Sequence, residues 1–110
     1  MKYDYCAEKL AAARSCLMLP HPKGEGDSIA VAFHECELGL RDLSAQDFDE
    51  NAREWVAKIR ELMDKSKIIS FSGHNTWAFK AEHMTEDQKV EFSQAVDNLA
   101  DWFNEKAREE

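Results

Sequence analysis

The stretch TEDQKVEFSQAVDNLADWFNEKAR, residues 85–108, decides the fold, because it holds the clearest helical pattern in this chain of 110 residues. Its apolar residues recur every three or four positions, so they share one side of a helix. They are Phe92, Ala95, Val96, Leu99, Trp102 and Phe103. Asp97, Asp101 and Glu105 fall on the other side, which we expect to face water. The pattern predicts a long helix that buries one face against the rest of the chain.

A capping box marks the start of this helix. The Thr85 hydroxyl can accept a hydrogen bond from the backbone N–H of Gln88, and the Gln88 side chain can accept one from Thr85 in return. Glu86 and Asp87 add negative charge where the helix dipole is positive. We therefore expect the helix to begin at Thr85.

Two segments near the amino terminus also have helical spacing. The first covers residues 4–19 and ends before a turn rich in proline and glycine at residues 20–26. The second begins with a cap at Asp27 or Ser28 and ends near Leu43. Their inward-facing positions are Cys6, Leu10, Ala13, Leu17, Ile29, Ala32, Phe33, Cys36 and Leu40.

Two features in the middle of the chain bear on helix packing. Gly39 lies inside the second helical pattern, where glycine costs about 1 kcal/mol relative to alanine, and a close helix crossing would explain it. A third helix follows a capping box made by Ser44 and Asp47. Its buried face comprises Phe48, Ala52, Trp55, Val56, Ile59, Leu62 and Met63.

The helical period fails between residues 66 and 84. Short β-branched and aromatic runs at residues 68–71 and 76–80 flank residues 72–75, which have the composition of a turn. This predicts a short hairpin or an irregular loop before the last helix. With four helices and short connections, we predict a single all-α domain over residues 1–110, an antiparallel, up-and-down four-helix bundle.

Composition excludes several classes of partner. With 44% hydrophobic residues the chain is too apolar for intrinsic disorder, and its formal net charge is −8 at pH 7. This charge repels phosphate groups, so neither nucleic acid nor an anionic membrane is expected as a partner, whereas basic patches on proteins are attracted. Free thiols at Cys6, Cys16 and Cys36 and the lack of a signal-peptide or membrane-spanning pattern predict a cytoplasmic location.

The densest group of potential metal ligands is at residues 34–37. His34 and Glu37 share one side of a helix, as the ligands of metal sites inside helical bundles do. His83 and Glu86 have the same spacing but straddle the cap at Thr85. No complete ligand set, nucleophile–base pair or phosphate cradle emerges, so we expect no cofactor and do not favour a catalytic function.

Aromatic and histidine side chains concentrate at residues 70–80. Loops of this composition on a regular scaffold are typical of recognition surfaces, because aromatic side chains bury much area at low entropic cost. The predicted partner-binding residues are Phe71, His74, Asn75, Trp77 and Phe79. The alternative, which is favoured for Trp77 and Phe79, is a lid that folds these two side chains onto the core.

These observations predict a small, acidic, non-catalytic cytoplasmic protein that binds or regulates another protein. Its charge suggests an inhibitor that offers carboxylates to a nucleic-acid-binding protein. Two alternatives stay open. One is a helical bundle, an enzyme or a sensor, that binds a metal or small molecule through His34 and Glu37. The other is a structural homodimer that hides Trp55 or Trp102 between two copies.

Overall fold

In a computed structural model, residues 2–18, 24–63 and 80–109 are described; 86% of these residues are helical and none lies in a strand. The long helices in this part of the chain are α1 (Lys2–Leu17), α2 (Glu25–Leu40), α3 (Glu50–Leu62) and α4 (Glu86–Glu109). A 3-10 helix (Ala45–Asp47) precedes α3. The predicted all-α helical bundle is therefore confirmed.

α1 and α2 run antiparallel and cross closely. Lys9 Nζ lies 3.5 Å from Glu35 Oε2, and Gly39, one turn further along α2, lies against the carbonyl of Cys6 in α1. A Cβ added at Gly39 would lie 2.9 Å from Leu10 Cδ2 and 3.0 Å from Lys9 Cβ. The close crossing that the sequence predicts at Gly39 is confirmed.

α4 packs antiparallel to α1. The Tyr3 ring lies 5.7 Å from the Trp102 ring, between centroids, whereas Arg14 near the other end of α1 pairs with Asp97.

α4 also runs antiparallel to α3. Asp49, directly before α3, accepts a hydrogen bond of 2.9 Å from Trp102 Nε1. Lys58, later in α3, lies 3.5 Å from Glu91, earlier in α4. α4 thus packs against both α1 and α3, as expected for the helix with the longest apolar face.

The buried apolar side chains form one cluster. All six apolar positions predicted for α4 are buried, from Phe92 to Phe103. Phe33 of α2 contacts Phe92, with ring centroids 4.6 Å apart. At the other end of α4, the rings of Tyr3 and Phe48 pack against Trp102. One hydrophobic core therefore joins the helices.

The predicted start of α4 is confirmed in detail. Thr85 N donates to Gln88 Oε1 at 2.9 Å, and Gln88 N donates to Thr85 Oγ1 at 3.1 Å. Both donors are backbone N–H groups that have no partner within the helix itself, so the capping box stabilises the first turn.

The predicted cap of α2 is wrong. The helix begins at Glu25, and Gly24 occupies the cap position without a side-chain hydrogen bond. Its φ of 98° is a conformation that residues with a Cβ rarely adopt. Ser28 N already donates to the carbonyl of Gly24 at 3.2 Å, so Ser28 and Asp27 lie inside the first turn.

The predicted start of α3 is also wrong. Ser44 N donates to Asp47 Oδ2 at 2.8 Å, but this contact closes the 3-10 helix. The cap of α3 is Asp49, whose Oδ1 accepts from Ala52 N at 2.9 Å. Phe48 is buried, yet it lies in the turn before the helix.

The predicted hairpin or loop before the last helix falls largely on residues 64–79, which lie outside the described residues. Residues 80–82 are helical, and Ala81 and Met84 are buried in the core. Among the helices that the structure describes, none combines the length and apolar character needed to cross a membrane.

Candidate interaction surface

A line of polar residues runs along the side of α4 that faces away from the core. Its positions are spaced by three and four residues, so they form a line on the helix about 27 Å long. They are Asp87, Glu91, Gln94, Asn98, Asp101 and Glu105, and all six are exposed. Four of these residues are acidic and none is basic. We call this line the acidic stripe.

Three bases near the acidic stripe are each shared by two carboxylates, whereas Lys106 forms an ion pair with Glu109. The three clusters are Arg14 with Asp97 and Asp101, Lys58 with Glu61 and Glu91, and Lys89 with Glu25 and Glu86, and their N–O distances lie between 2.7 and 3.6 Å. Every cluster therefore keeps one excess negative charge after pairing. The ion pairs organise the acidic surface and do not neutralise it.

The electrostatics of two bases reflect this sharing. The hydrogen bond to Asp101 is the main cause that raises the pKa of Arg14 above its usual value. The hydrogen bond to Glu25, followed by that to Glu86, raises the pKa of Lys89. Both bases therefore keep their positive charge at physiological pH.

Two members of the acidic stripe stand outside these clusters. Among the described residues, no base pairs with Asp87 or Glu105. Both side chains are exposed, near opposite ends of α4. Their carboxylates are the ones that a partner's bases can reach without displacing an existing ion pair.

A groove lined by both apolar and polar side chains lies beside the acidic stripe, between the end of α1 and the starts of α2 and α4. It consists of two clefts of about 180 and 190 Å³ that share Leu17 and Ser93. Met18 lines one cleft and Val90 the other. We call it the α1–α4 groove. With 62% and 55% of their surface exposed, Met18 and Val90 are the most exposed large apolar side chains in the described part of the chain.

A third cleft, of about 230 Å³, lies between α2 and α3, but its bases are engaged. Arg60 Nη2 donates to the carbonyl oxygens of Leu40 and Leu43, at 3.3 and 3.4 Å, and so satisfies groups at the end of α2. Arg41 lies 3.6 Å from Glu37. Both guanidinium groups thus have a structural role.

The predicted metal ligands lie on α2 and in the turn before α4. His34 is exposed on α2, Glu37 pairs with Arg41, and His83 is exposed in the turn before α4. Within the described ranges, no three or more His, Cys, Asp or Glu side chains are arranged to hold a metal ion. The metal-binding alternative stays a prediction.

The three cysteines are free thiols, as the sequence predicts; Cys6 and Cys36 are buried, whereas Cys16 is only half-buried. Burial is the main cause that raises the pKa of Cys36 far above its usual value, and Glu35 adds to the effect. Burial, then Glu35 and Asp27, also raises the pKa of the half-buried Cys16. The thiols of Cys16 and Cys36 therefore stay protonated at neutral pH, which favours packing over nucleophilic chemistry.

The predicted partner-binding residues Phe71, His74, Asn75, Trp77 and Phe79 lie outside the described residues. For the homodimer alternative, the single chain already buries Trp102, which is 9% exposed, and Trp55 is half-buried. The homodimer therefore also stays a prediction.

Sequence reasoning did not identify the α1–α4 groove. The available indication was Val90, an apolar residue that interrupts the polar side of α4. A single valine on a helix surface is common and does not by itself predict a groove. Its meaning depends on Leu17 and Met18, which only the fold brings beside it.

Comparison with known protein families, with curated proteins and with solved structures finds no match to this chain. The surface chemistry of the bundle is therefore the basis for assigning a function.

Proposed function

We propose that this chain is a small, acidic, non-catalytic cytoplasmic protein that binds or regulates another protein, whose basic surface contacts the acidic stripe. The observation that carries the proposal is the composition of the stripe: four exposed acidic residues and no base among its six positions from Asp87 to Glu105. Arg14, Lys58 and Lys89 beside the stripe are each shared between two carboxylates, so these three clusters retain an excess of negative charge.

A surface of this kind acts first on the rate of association. A line of like charge attracts a basic patch over distances beyond direct contact, and it orients the encounter. The same charge repels phosphate, so nucleic acid and anionic membranes are not proposed as partners. A nucleic-acid-binding protein is the class of partner whose own basic surface fits best, and occupying that surface would inhibit it.

Charge alone gives modest affinity, because exposed ion pairs contribute little. Aromatic side chains supply most of the binding energy in many interfaces. Among the predicted contact residues, Phe71 has this chemistry, and unlike Trp77 and Phe79 it is not favoured as part of a lid on the core. We propose that Phe71 provides an apolar part of the contact while the acidic stripe provides the attraction.

The proposal is tested by binding to a panel of purified basic nucleic-acid-binding proteins, measured by fluorescence anisotropy at about 20 and 150 mM salt. The variant D87N/E105Q removes the two stripe carboxylates that stand outside the ion-pair clusters. The matched control E8Q/D42N removes one Asp and one Glu charge from exposed positions outside α4. Neither variant disrupts a described ion pair.

We expect at least one panel member to bind, with affinity that falls as salt rises. Two exposed ion pairs at about 0.5 kcal/mol each predict that D87N/E105Q weakens binding about fivefold, and that E8Q/D42N changes it less than twofold. Absence of binding at low salt would remove the inhibitor hypothesis. Equal weakening by both variants would show attraction to net charge alone, without a role for the stripe.

The metal-binding alternative has its own measurement. Native mass spectrometry of protein isolated without added metal reports bound metal, self-association and retained partners together. Stoichiometric zinc, iron or manganese that is lost in H34A and E37A would favour the metal site over the present proposal. A metal-free monomer would leave the metal-binding and homodimer alternatives without support.

A further inference from the structure

We propose that the α1–α4 groove receives an amphipathic segment of the protein partner, with apolar side chains on the groove floor and a basic residue at each end. This inference rests on the proposed function, since it assigns to that partner a second, apolar contact beside the acidic stripe. The acidic stripe attracts the partner by charge, whereas the groove is where the partner's apolar side chains are buried.

The floor of the groove supports an apolar contact. The apolar Leu17 lines both clefts, and the buried Ile29 lines one of them. Met18 and Val90 stand at the surface with 62% and 55% exposure. The two most exposed large apolar side chains of the described residues thus line one groove, and burying them against a partner removes apolar surface from water.

The ends of the groove support basic residues on both sides of the apolar contact. At one end Lys89 is shared by Glu25 and Glu86, which are 52% and 86% exposed. The other end is the similar cluster in which Arg14 is shared by two carboxylates. Each end keeps an excess negative charge, so an apolar segment with a single basic residue at each end is complementary to the groove.

The length of the groove sets the spacing of the occupant. From Lys89 to Asp97 α4 rises about 12 Å, which is a little over two helical turns. A partner helix with apolar residues at positions i, i+3 or i+4, and i+7 presents its anchors over a similar distance. The groove therefore fits an amphipathic helix of about three turns.

Two synthetic peptides of about 12 residues test this inference. Both contain leucine, lysine and alanine in the same proportions, so they differ only in the order of these residues. In one peptide the leucines share a helical face, and in the other the order is shuffled so that they do not. Binding is followed by amide chemical shifts of the isotope-labelled protein. The groove variant is M18Q/V90Q, and the matched control Y5Q/V31Q changes the remaining exposed large apolar residues of the described chain.

We expect the patterned peptide to bind about tenfold more tightly than the shuffled one, with the largest shifts at Leu17, Val90 and Ser93. M18Q/V90Q should weaken this binding at least about fivefold and Y5Q/V31Q less than about twofold. All four positions are at least 41% exposed, so both variants should fold, which a thermal melt checks.

Equal binding of the two peptides would overturn the groove inference while leaving charge attraction, and hence the proposed function, in place. If the amide chemical shifts of the groove residues change as protein concentration rises in the absence of peptide, a second copy of the chain occupies the groove. That result also overturns the inference. If neither peptide binds, the groove inference fails, and the protein panel decides the proposed function separately.

Discussion

Replacing Gly39 by alanine should destabilise this protein, although alanine is the better helix former. In an unhindered helix the change would stabilise by about 1 kcal/mol. Here the new methyl group would lie 2.9 Å from Leu10 Cδ2 and 3.0 Å from Lys9 Cβ, whereas ordinary contact begins at 3.4 Å. The substitution therefore sets helix propensity against a close helix crossing.

The two contacts differ in how they can be relieved. Leu10 Cδ2 ends a flexible side chain, but Leu10 is fully buried, so this side chain has little free space into which it can move. Lys9 Cβ is attached directly to the α1 backbone, so relief there requires α1 and α2 to move apart. Overpacking of this kind costs about 1–3 kcal/mol. Because the gain in helix propensity offsets part of this cost, we expect G39A to lower the free energy of unfolding by about 1 kcal/mol.

Urea denaturation measures this loss of unfolding free energy. For a domain of 110 residues, 1 kcal/mol lowers the melting temperature by about 4 °C. Gly26→Ala is the matched control, because Gly26 is also in α2 but an added Cβ meets only Glu82 Cγ, at 4.0 Å. We expect G26A to be neutral or stabilising. If G39A stabilises the protein as much as G26A, the close crossing does not explain the glycine.

Three further predictions concern the caps and the thiols. The backbone N–H of Ala52, and then the Trp102 indole N–H, donate hydrogen bonds to Asp49 and lower the pKa of its carboxyl group. The ionised carboxylate therefore stabilises the folded protein at pH values above the pKa that Asp49 has in the unfolded chain. This stabilisation is lost as pH falls through the pKa of Asp49 in the folded protein. D49N should thus show a smaller drop in urea midpoint than the wild type between about pH 5 and pH 3, and equal drops would contradict this. T85A should cost about 1 kcal/mol of unfolding free energy, whereas T85S should keep most of it, since only the hydroxyl caps the helix. A thiol reagent should modify half-buried Cys16 slowly in the native state but modify Cys36 only on unfolding; comparable native rates would place Cys36 nearer the surface than its burial indicates.

Helix positions followed from the sequence where the determining contacts are local. The apolar face of α4 depends only on helical spacing, and its start depends on Thr85 and Gln88, which are three residues apart. The start of α3 was mispredicted because two caps compete within a few residues. Asp49 is the cap of α3, and it also accepts the Trp102 indole N–H from a residue 53 positions away.

The candidate site divides in the same way. The exposed carboxylates of the acidic stripe could be found from the sequence, because helical spacing places them together once the apolar face is known. The sharing of Arg14 by Asp97 and Asp101 could not, since the pairing joins α1 to α4.

By itself, the sequence determined the helical class, the buried face of α4 and the excess of negative charge, because each depends on residue type and short-range spacing. Only the tertiary structure decided which bases the carboxylates share and where apolar surface stays exposed. Val90 and Met18 line one groove because α1 and α4 pack side by side. Such contacts join residues far apart in the chain, and local pattern carries no information about them.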